Sequence, residues 1–209
     1  IKGGLWDGYN YYKLYQEAMT PWEWQDKLKA KCEEVGIDFL STPFCRDSVD
    51  FLENLGVEFY KIASFELVDI PLIEYIASKG KPIIMSVGMG SEEEISEALA
   101  ACKKYNNDNI VLLKCCSQYP ANYSDMNIAA IPLLKEKFEK IVGLSDHSFG
   151  SLAPVIAVAM GAKVIEKHVK LDNGDESADS GFSMSMSDFA KMVKNIRDTI
   201  TIIGKPTLE

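Results

Sequence analysis

Nowhere in these 209 residues does an apolar run approach the about 20 residues of a membrane span, and no basic-then-apolar leader stands at the front. A cytoplasmic protein without a membrane partner is the expectation. Positive charge is also in short supply, with 22 Lys and Arg against 31 Asp and Glu and a net charge of −9. A nucleic-acid partner is thereby excluded, because it needs a cationic face to displace counterions. The five cysteines (Cys32, Cys45, Cys102, Cys115, Cys116) are odd in number and contain no C-x-x-C pair, which argues against a disulfide framework or a cysteine-rich zinc site. A G-x-G-x-x-G run is missing too, so the signature of a dinucleotide-binding sheet is absent. Residue 1 is isoleucine, and the chain is expected to begin inside a longer gene product. Histidine is scarce, with His147 and His168 alone.

What is present is the material of one folded domain spanning 1–209, with 47% hydrophobic and 25% charged residues. Six short β-branched, apolar runs read as buried parallel strands: Ile37–Phe44, Phe59–Glu66, Pro82–Gly88, Ile110–Ser117, Ile141–His147 and Lys163–Val169. Their starts are 22 to 31 residues apart, room for one strand and one crossover helix each. Helix signals fill the gaps. Thr20-Pro21-Trp22-Glu23 predicts an N-cap before Trp24–Glu34 with Gly36 as C-cap, and Ser91-Glu92-Glu93-Glu94 predicts a capping box before a helix to about Tyr105. Further helices are expected near Arg46–Leu55, Pro71–Ser78, Ser124–Phe138, Ser151–Met160 and Ser187–Ile203.

Such alternation fits an α/β fold, either an open doubly wound sheet or a (β/α)₈ TIM barrel. Without the dinucleotide fingerprint, the barrel is favoured, truncated to about six βα units, strands 3 to 8. Six strands would leave barrel edges open, so this stretch alone is expected to be insoluble or inactive.

Barrel active sites lie at the carboxyl ends of the strands. Polar residues stand there in order: Ser41-Thr42, Ser64 and Glu66, Ser86, Ser117 with Tyr119, Ser145-Asp146-His147, and Glu166-Lys167-His168. Serines in such places also cap helices, and a histidine on an apolar strand is often structural. Two histidines closing consecutive strands point instead to one shared divalent metal, with positions left for water and substrate. By strand alternation Ser145 shares a face with His147, Glu166 with His168, and Ser64 with Glu66. Lys61 has the opposite parity from Ser64, which requires either a bulge or a structural role for the lysine. Gly88-Met89-Gly90-Ser91 reads equally as a phosphate-binding turn or a tight βα connection. Cys115 and Cys116 read as packing residues, and Trp6, Tyr9, Tyr11, Tyr12 and Tyr15 read as packing of a connecting segment in preference to the lining of a sugar pocket.

Read as strings, Ser41-Thr42-Pro43-Phe44, Tyr60 to Glu66, Gly80 to Ser86, Cys115 to Pro120, Gly143 to His147 and Ile165 to His168 resemble the sialic-acid synthase family over nearly the whole chain. Within it, Leu14 to Ala18, Thr20 to Trp24, Ala63 to Glu66 and Leu113 to Cys115 are most similar to pseudaminic acid synthases.

That resemblance implies a metal-dependent condensation of phosphoenolpyruvate with a 2-acetamido sugar aldehyde, giving a nine-carbon 3-deoxy-2-keto acid and phosphate. It implies His147 and His168 as ligands of Mn²⁺, with Mg²⁺ or Co²⁺ as substitutes. Thr42, Lys61, Ser64, Ser86, Ser117 and Ser145 would bind phosphoenolpyruvate, and Glu66, Tyr119 and Asp179 would face the sugar. The use of both Lys61 and Ser64 favours the bulge. A homodimer and a carboxyl-terminal antifreeze-like domain beyond Glu209 are implied as well. Ser117 stands where N-acetylneuraminate synthases often carry asparagine, which points to a different sugar. Two rival readings are another metal-dependent aldolase barrel acting on a phosphorylated sugar and a non-catalytic sugar-binding remnant.

Overall fold

The computed structural model describes residues 1–174 and 176–207. Leu208 and Glu209, the end of the expected 1–209 domain, lie outside the described residues. The chain divides into two compact units, Ile1–Met85 with Gly90–Ile110, and Ser86–Met89 with Val111–Glu209.

In the first unit, helix α1 (Tyr11–Ala18) was not foreseen, because a tyrosine-rich stretch carries no clear apolar period. Its start is nevertheless encoded: the Asn10 side chain accepts from the N–H groups of Tyr12 and Lys13 at 2.9 and 3.3 Å. Tyr11, Tyr12 and Tyr15 are exposed, contrary to their expected packing role. Helix α2 (Trp22–Val35) ends at Gly36, whose φ of 73° satisfies the C-cap expectation. Its N-cap is Pro21 rather than Thr20, and no side chain closes that end. Trp22 stacks on Phe51 of α3 (Arg46–Leu55) at 4.7 Å between centroids.

The run Ile37–Phe44 forms no strand among the described residues. Apolar, β-branched composition encodes extended backbone, but a strand also needs a neighbour to hydrogen-bond with. The parallel pair of the first unit is β1 (Tyr60–Ile62) with β2 (Ile83–Ser86), in register Tyr60↔Ile83, Lys61↔Ile84, Ile62↔Met85. A 3₁₀ turn, Ser64–Val68, separates β1 from α4 (Ile70–Ala77), whose N-cap Asp69 accepts from Leu72 N–H at 3.1 Å. Helix α5 (Glu92–Lys103) opens with the expected capping box: Glu94 N–H donates to Ser91 Oγ at 3.2 Å and Ser91 N–H to Glu94 Oε2 at 2.7 Å.

The second unit carries the longer strands. Val87 N–H donates to Leu113 O, beside β3 (Ile110–Cys115). After α6 (Ala130–Phe138) comes β4 (Ile141–Asp146), paired in parallel with β3 from Val111↔Ile141 to Cys115↔Ser145. Helix α7 (Leu152–Ala159) then leads to β5 (Val164–Lys167), paired with β4 from Gly143↔Val164 to Asp146↔Lys167. Gly143 is required by close approach: a Cβ there would lie 2.3 Å from Val164 O and 2.6 Å from Leu113 Cδ2. Leu112, Leu113, Val142 and Leu144 are all buried, as parallel strands covered on both faces demand. Past β5, the short strands β6 (Val169–Lys170) and β7 (Met184–Ser185) pair with each other before α8 (Met186–Ile203).

All paired strands are parallel, and helices connect the long ones, so the expected α/β class holds. Five of the six expected strands form ladders among the described residues. No helix among the described residues is long and apolar enough to cross a membrane.

Candidate functional site

The β4–β5 register ends at Asp146↔Lys167, which brings the next residue on each strand, His147 and His168, side by side. Their ring centroids are 5.3 Å apart at an interplanar angle of 65°. The predicted alternation holds one step earlier: Ser145 Oγ donates to Glu166 Oε1 at 2.6 Å on the face the histidines share.

His147 is 4% exposed, and its Nδ1 lies 2.8 Å from the carbonyl oxygen of Cys116. A carbonyl only accepts, so the proton of the neutral ring sits on Nδ1 and the Nε2 lone pair is available to a cation. Burial lowers the pKa of His147 from 6.5, outweighing the opposing pull of the Cys116 carbonyl and of the Glu166 and Asp146 carboxylates. His168 is more open, with 34% of its side chain exposed, and its Nδ1 stands 3.5 Å from Asp179 Oδ2. Tyr119 stacks on His147 at 4.1 Å and meets His168 edge-on at 6.1 Å. Phe182, 2% exposed, lies 4.8 Å from the His168 ring and 5.2 Å from that of Tyr119.

Two imidazoles side by side would suit a divalent metal with open positions. Among the described residues no group of three or more His, Cys, Asp or Glu side chains could hold a metal ion.

The structure thus brings Tyr119, Ser145, His147, His168 and Asp179 together. Ser86 is 2% exposed on β2, and Ser117 Oγ is 3.9 Å from Cys115 Sγ. Cys115 is buried, in keeping with a packing role, and its sulfur is also 3.9 Å from His147 Nδ1.

In the first unit Lys61 is 4% exposed and its Nζ donates to the Ile62 carbonyl at 2.8 Å. Ser64 and Glu66 are not on a strand. Because β1 stops at Ile62 and the chain tightens into the 3₁₀ turn, strand parity does not apply past that point, and the expected bulge is corrected to a strand end. Glu66 is half-buried, and burial raises its pKa from 4.5 despite the nearby positive charge of Lys61. Its Oε2 is buried without a hydrogen-bond partner. Thr42 is half-buried in the extended segment that forms no strand. At the glycine-rich turn, the Ser91 amide is engaged by Glu94, which favours the simple βα connection over a phosphate loop.

Three residues without a predicted role emerge. Asp146 and Lys167 form a buried ion pair one residue before each histidine, and Phe182 packs on the histidine pair. Opposite charges at matched positions of adjacent strands were a readable signal for the first two. Nothing local marks Phe182.

Parallel strands ending in a pair of neighbouring histidines, one buried and one half-exposed, define an α/β chain with a candidate metal centre. The chain belongs to the NeuB family, whose model matches residues 2–207. It is 46% identical to the pseudaminic acid synthase of Campylobacter jejuni subsp. jejuni serotype O:2 over 100% of this chain and 61% of that protein. The pseudaminic acid synthase of Helicobacter pylori is 42% identical over 98% of this chain and 60% of that protein. The chain therefore spans about three fifths of the length of these relatives. Among solved structures, the N-acetylneuraminic acid synthetase of Leptospira borgpetersenii superposes with a TM-score of 0.90 at 36% identity, covering 97% of this chain and 71% of that one.

Proposed function

We propose that the protein carrying this chain condenses phosphoenolpyruvate with a 2-acetamido sugar aldehyde, releasing phosphate and yielding a nonulosonic acid of the pseudaminic type. The observation that carries this reading is the His147–His168 pair at 5.3 Å, with the Nδ1 of His147 held by the Cys116 carbonyl. Likeness to two pseudaminic acid synthases supports the choice of product.

His147 and His168 would hold the cation, Mn²⁺ or in its place Mg²⁺ or Co²⁺. When bound, it supplies Lewis-acid polarisation of the sugar aldehyde, which the modestly nucleophilic enol carbon of phosphoenolpyruvate needs. The protein's own groups orient the reactants. Hydroxyls suit the phosphate and carboxylate of phosphoenolpyruvate in an acidic chain, since they donate without adding charge. Ser86, Ser117 and Ser145 take this role in the second unit, and Thr42, Lys61 and Ser64 are assigned it in the first. Tyr119 and Asp179 face the sugar. Glu66, whose buried Oε2 has no hydrogen-bond partner within the chain, is assigned to the sugar as well. The intact protein is proposed to act in the cytoplasm as a homodimer.

The test is phosphate release by the intact gene product supplied with Mn²⁺. Release that requires both phosphoenolpyruvate and a 2-acetamido sugar supports the reading. Release with a phosphorylated sugar lacking the acetamido group replaces it with the other aldolase chemistry, and no turnover with any sugar leaves the non-catalytic remnant.

A further inference from the structure

Asp146 and Lys167 form an ion pair that no step above uses. Asp146 Oδ2 and Lys167 Nζ are 2.5 Å apart, and the two side chains are 0% and 2% exposed. They are the last ladder partners of β4 and β5, each one residue before a histidine. Strand alternation turns them to the face opposite the histidines. The other carboxylate oxygen, Asp146 Oδ1, accepts from Ser148 N–H at 2.9 Å and from Ser148 Oγ at 2.7 Å, and Lys167 Nζ also donates to the Ser148 carbonyl. His147 is therefore bracketed, because the residues before and after it are tied to the same carboxylate.

Stability does not explain this arrangement. Removing two charges from water costs enough that apolar residues of similar volume often serve a fold as well or better. What a charged, fully bonded pair supplies is direction. Asp146↔Lys167 is the last pair of the β4–β5 register, and directly beyond it two imidazoles must stand opposite each other at a fixed separation. We propose that the Asp146–Lys167 pair, with Ser148, is a clamp that sets the spacing and aim of His147 and His168 as metal ligands. The clamp rests on the metal reading above, and its three residues are positioning residues.

The experiment measures Mn²⁺ affinity of the gene product by chelator competition, the visible spectrum of the Co²⁺ form, and metal-free thermal unfolding. The informative variant is Asp146→Asn/Lys167→Met, which leaves no unpaired buried charge and keeps an acceptor for Ser148. A clamp predicts about 10- to 100-fold weaker Mn²⁺ binding and an altered Co²⁺ spectrum in a protein that still unfolds cooperatively. Wild-type affinity and spectrum in that folded variant overturn the proposal. Should it fail to fold, Lys167→Arg keeps the charge but changes the donor geometry, and wild-type Mn²⁺ affinity there overturns the clamp equally. His168→Ala separates the two levels: if it binds Mn²⁺ as the wild type does, the metal reading fails and the clamp with it. Loss of binding in His168→Ala alone leaves the metal reading intact and removes only the clamp.

Discussion

The Nδ1 of His147 lies 2.8 Å from the backbone oxygen of Cys116, so β3 and β4 together dictate which nitrogen of that ring carries the proton. Asparagine can present an amide N–H near the Nδ1 position but has nothing to offer at Nε2. His147→Asn is expected to keep the fold while weakening Mn²⁺ binding by more than about 100-fold. Chelator competition with circular dichroism as the fold control checks both halves.

Glu66 gives a pH signature with a definite sign. Its folded pKa is raised above 4.5, chiefly by burial, so the folded protein holds this proton more tightly than the unfolded chain does. The resulting contribution to stability is fully present below about pH 4.5 and is lost as pH rises through the folded value. Glu66→Gln has no such titration. The melting temperature of the variant relative to wild type is expected to climb above pH 4.5 and then level off, and a pH-independent difference would contradict this.

Phe182 is nearly fully buried against His168 and Tyr119, so truncation removes packing from both rings. Phe182→Ala is expected to lose about 3–5 kcal/mol, measured by denaturant unfolding. Phe182→Leu, closer in volume, should lose distinctly less.

At Gly143 the obstacle to a side chain is backbone. Gly143→Ala drives a methyl carbon into the Val164 carbonyl, which cannot swing aside as a side chain can. The cost is expected near or beyond the upper end of the ~1–3 kcal/mol typical of overpacking. Hydrogen exchange should show the loss concentrated in the β4–β5 ladder, and uniform destabilisation would count against the steric account.

How legible this was in the sequence can be judged residue by residue. The ends of β3, β4 and β5 were readable because fully apolar runs stop at polar residues, and the histidines stood out by their scarcity. The parity that paired Ser145 with His147 and Glu166 with His168 survives, with Ser145 bonded to Glu166. Parity failed at Ser64 and Glu66, because alternation is a property of extended backbone and the chain had already entered a 3₁₀ turn. Ile37–Phe44 carries the composition of a strand, but composition says nothing about whether a partner lies alongside. Asp146 and Lys167 were visible as opposite charges in step, while Phe182 was not, since its place on the rings depends on the chain returning through β7 beside β6.

Both histidines belong to a single strand–helix–strand unit, β4–α7–β5, and this has a consequence for how the sequence can change. Lengthening the connection around α7 leaves both strand registers untouched, so insertions there are expected to be compatible with the histidine pair. Adding or deleting one residue between Gly143 and His147 is different in kind: a strand that slips by one turns every side chain to the other face, and His147 would trade places with Asp146. Length variation among natural versions of this segment should therefore collect in the helical connection and spare the strands.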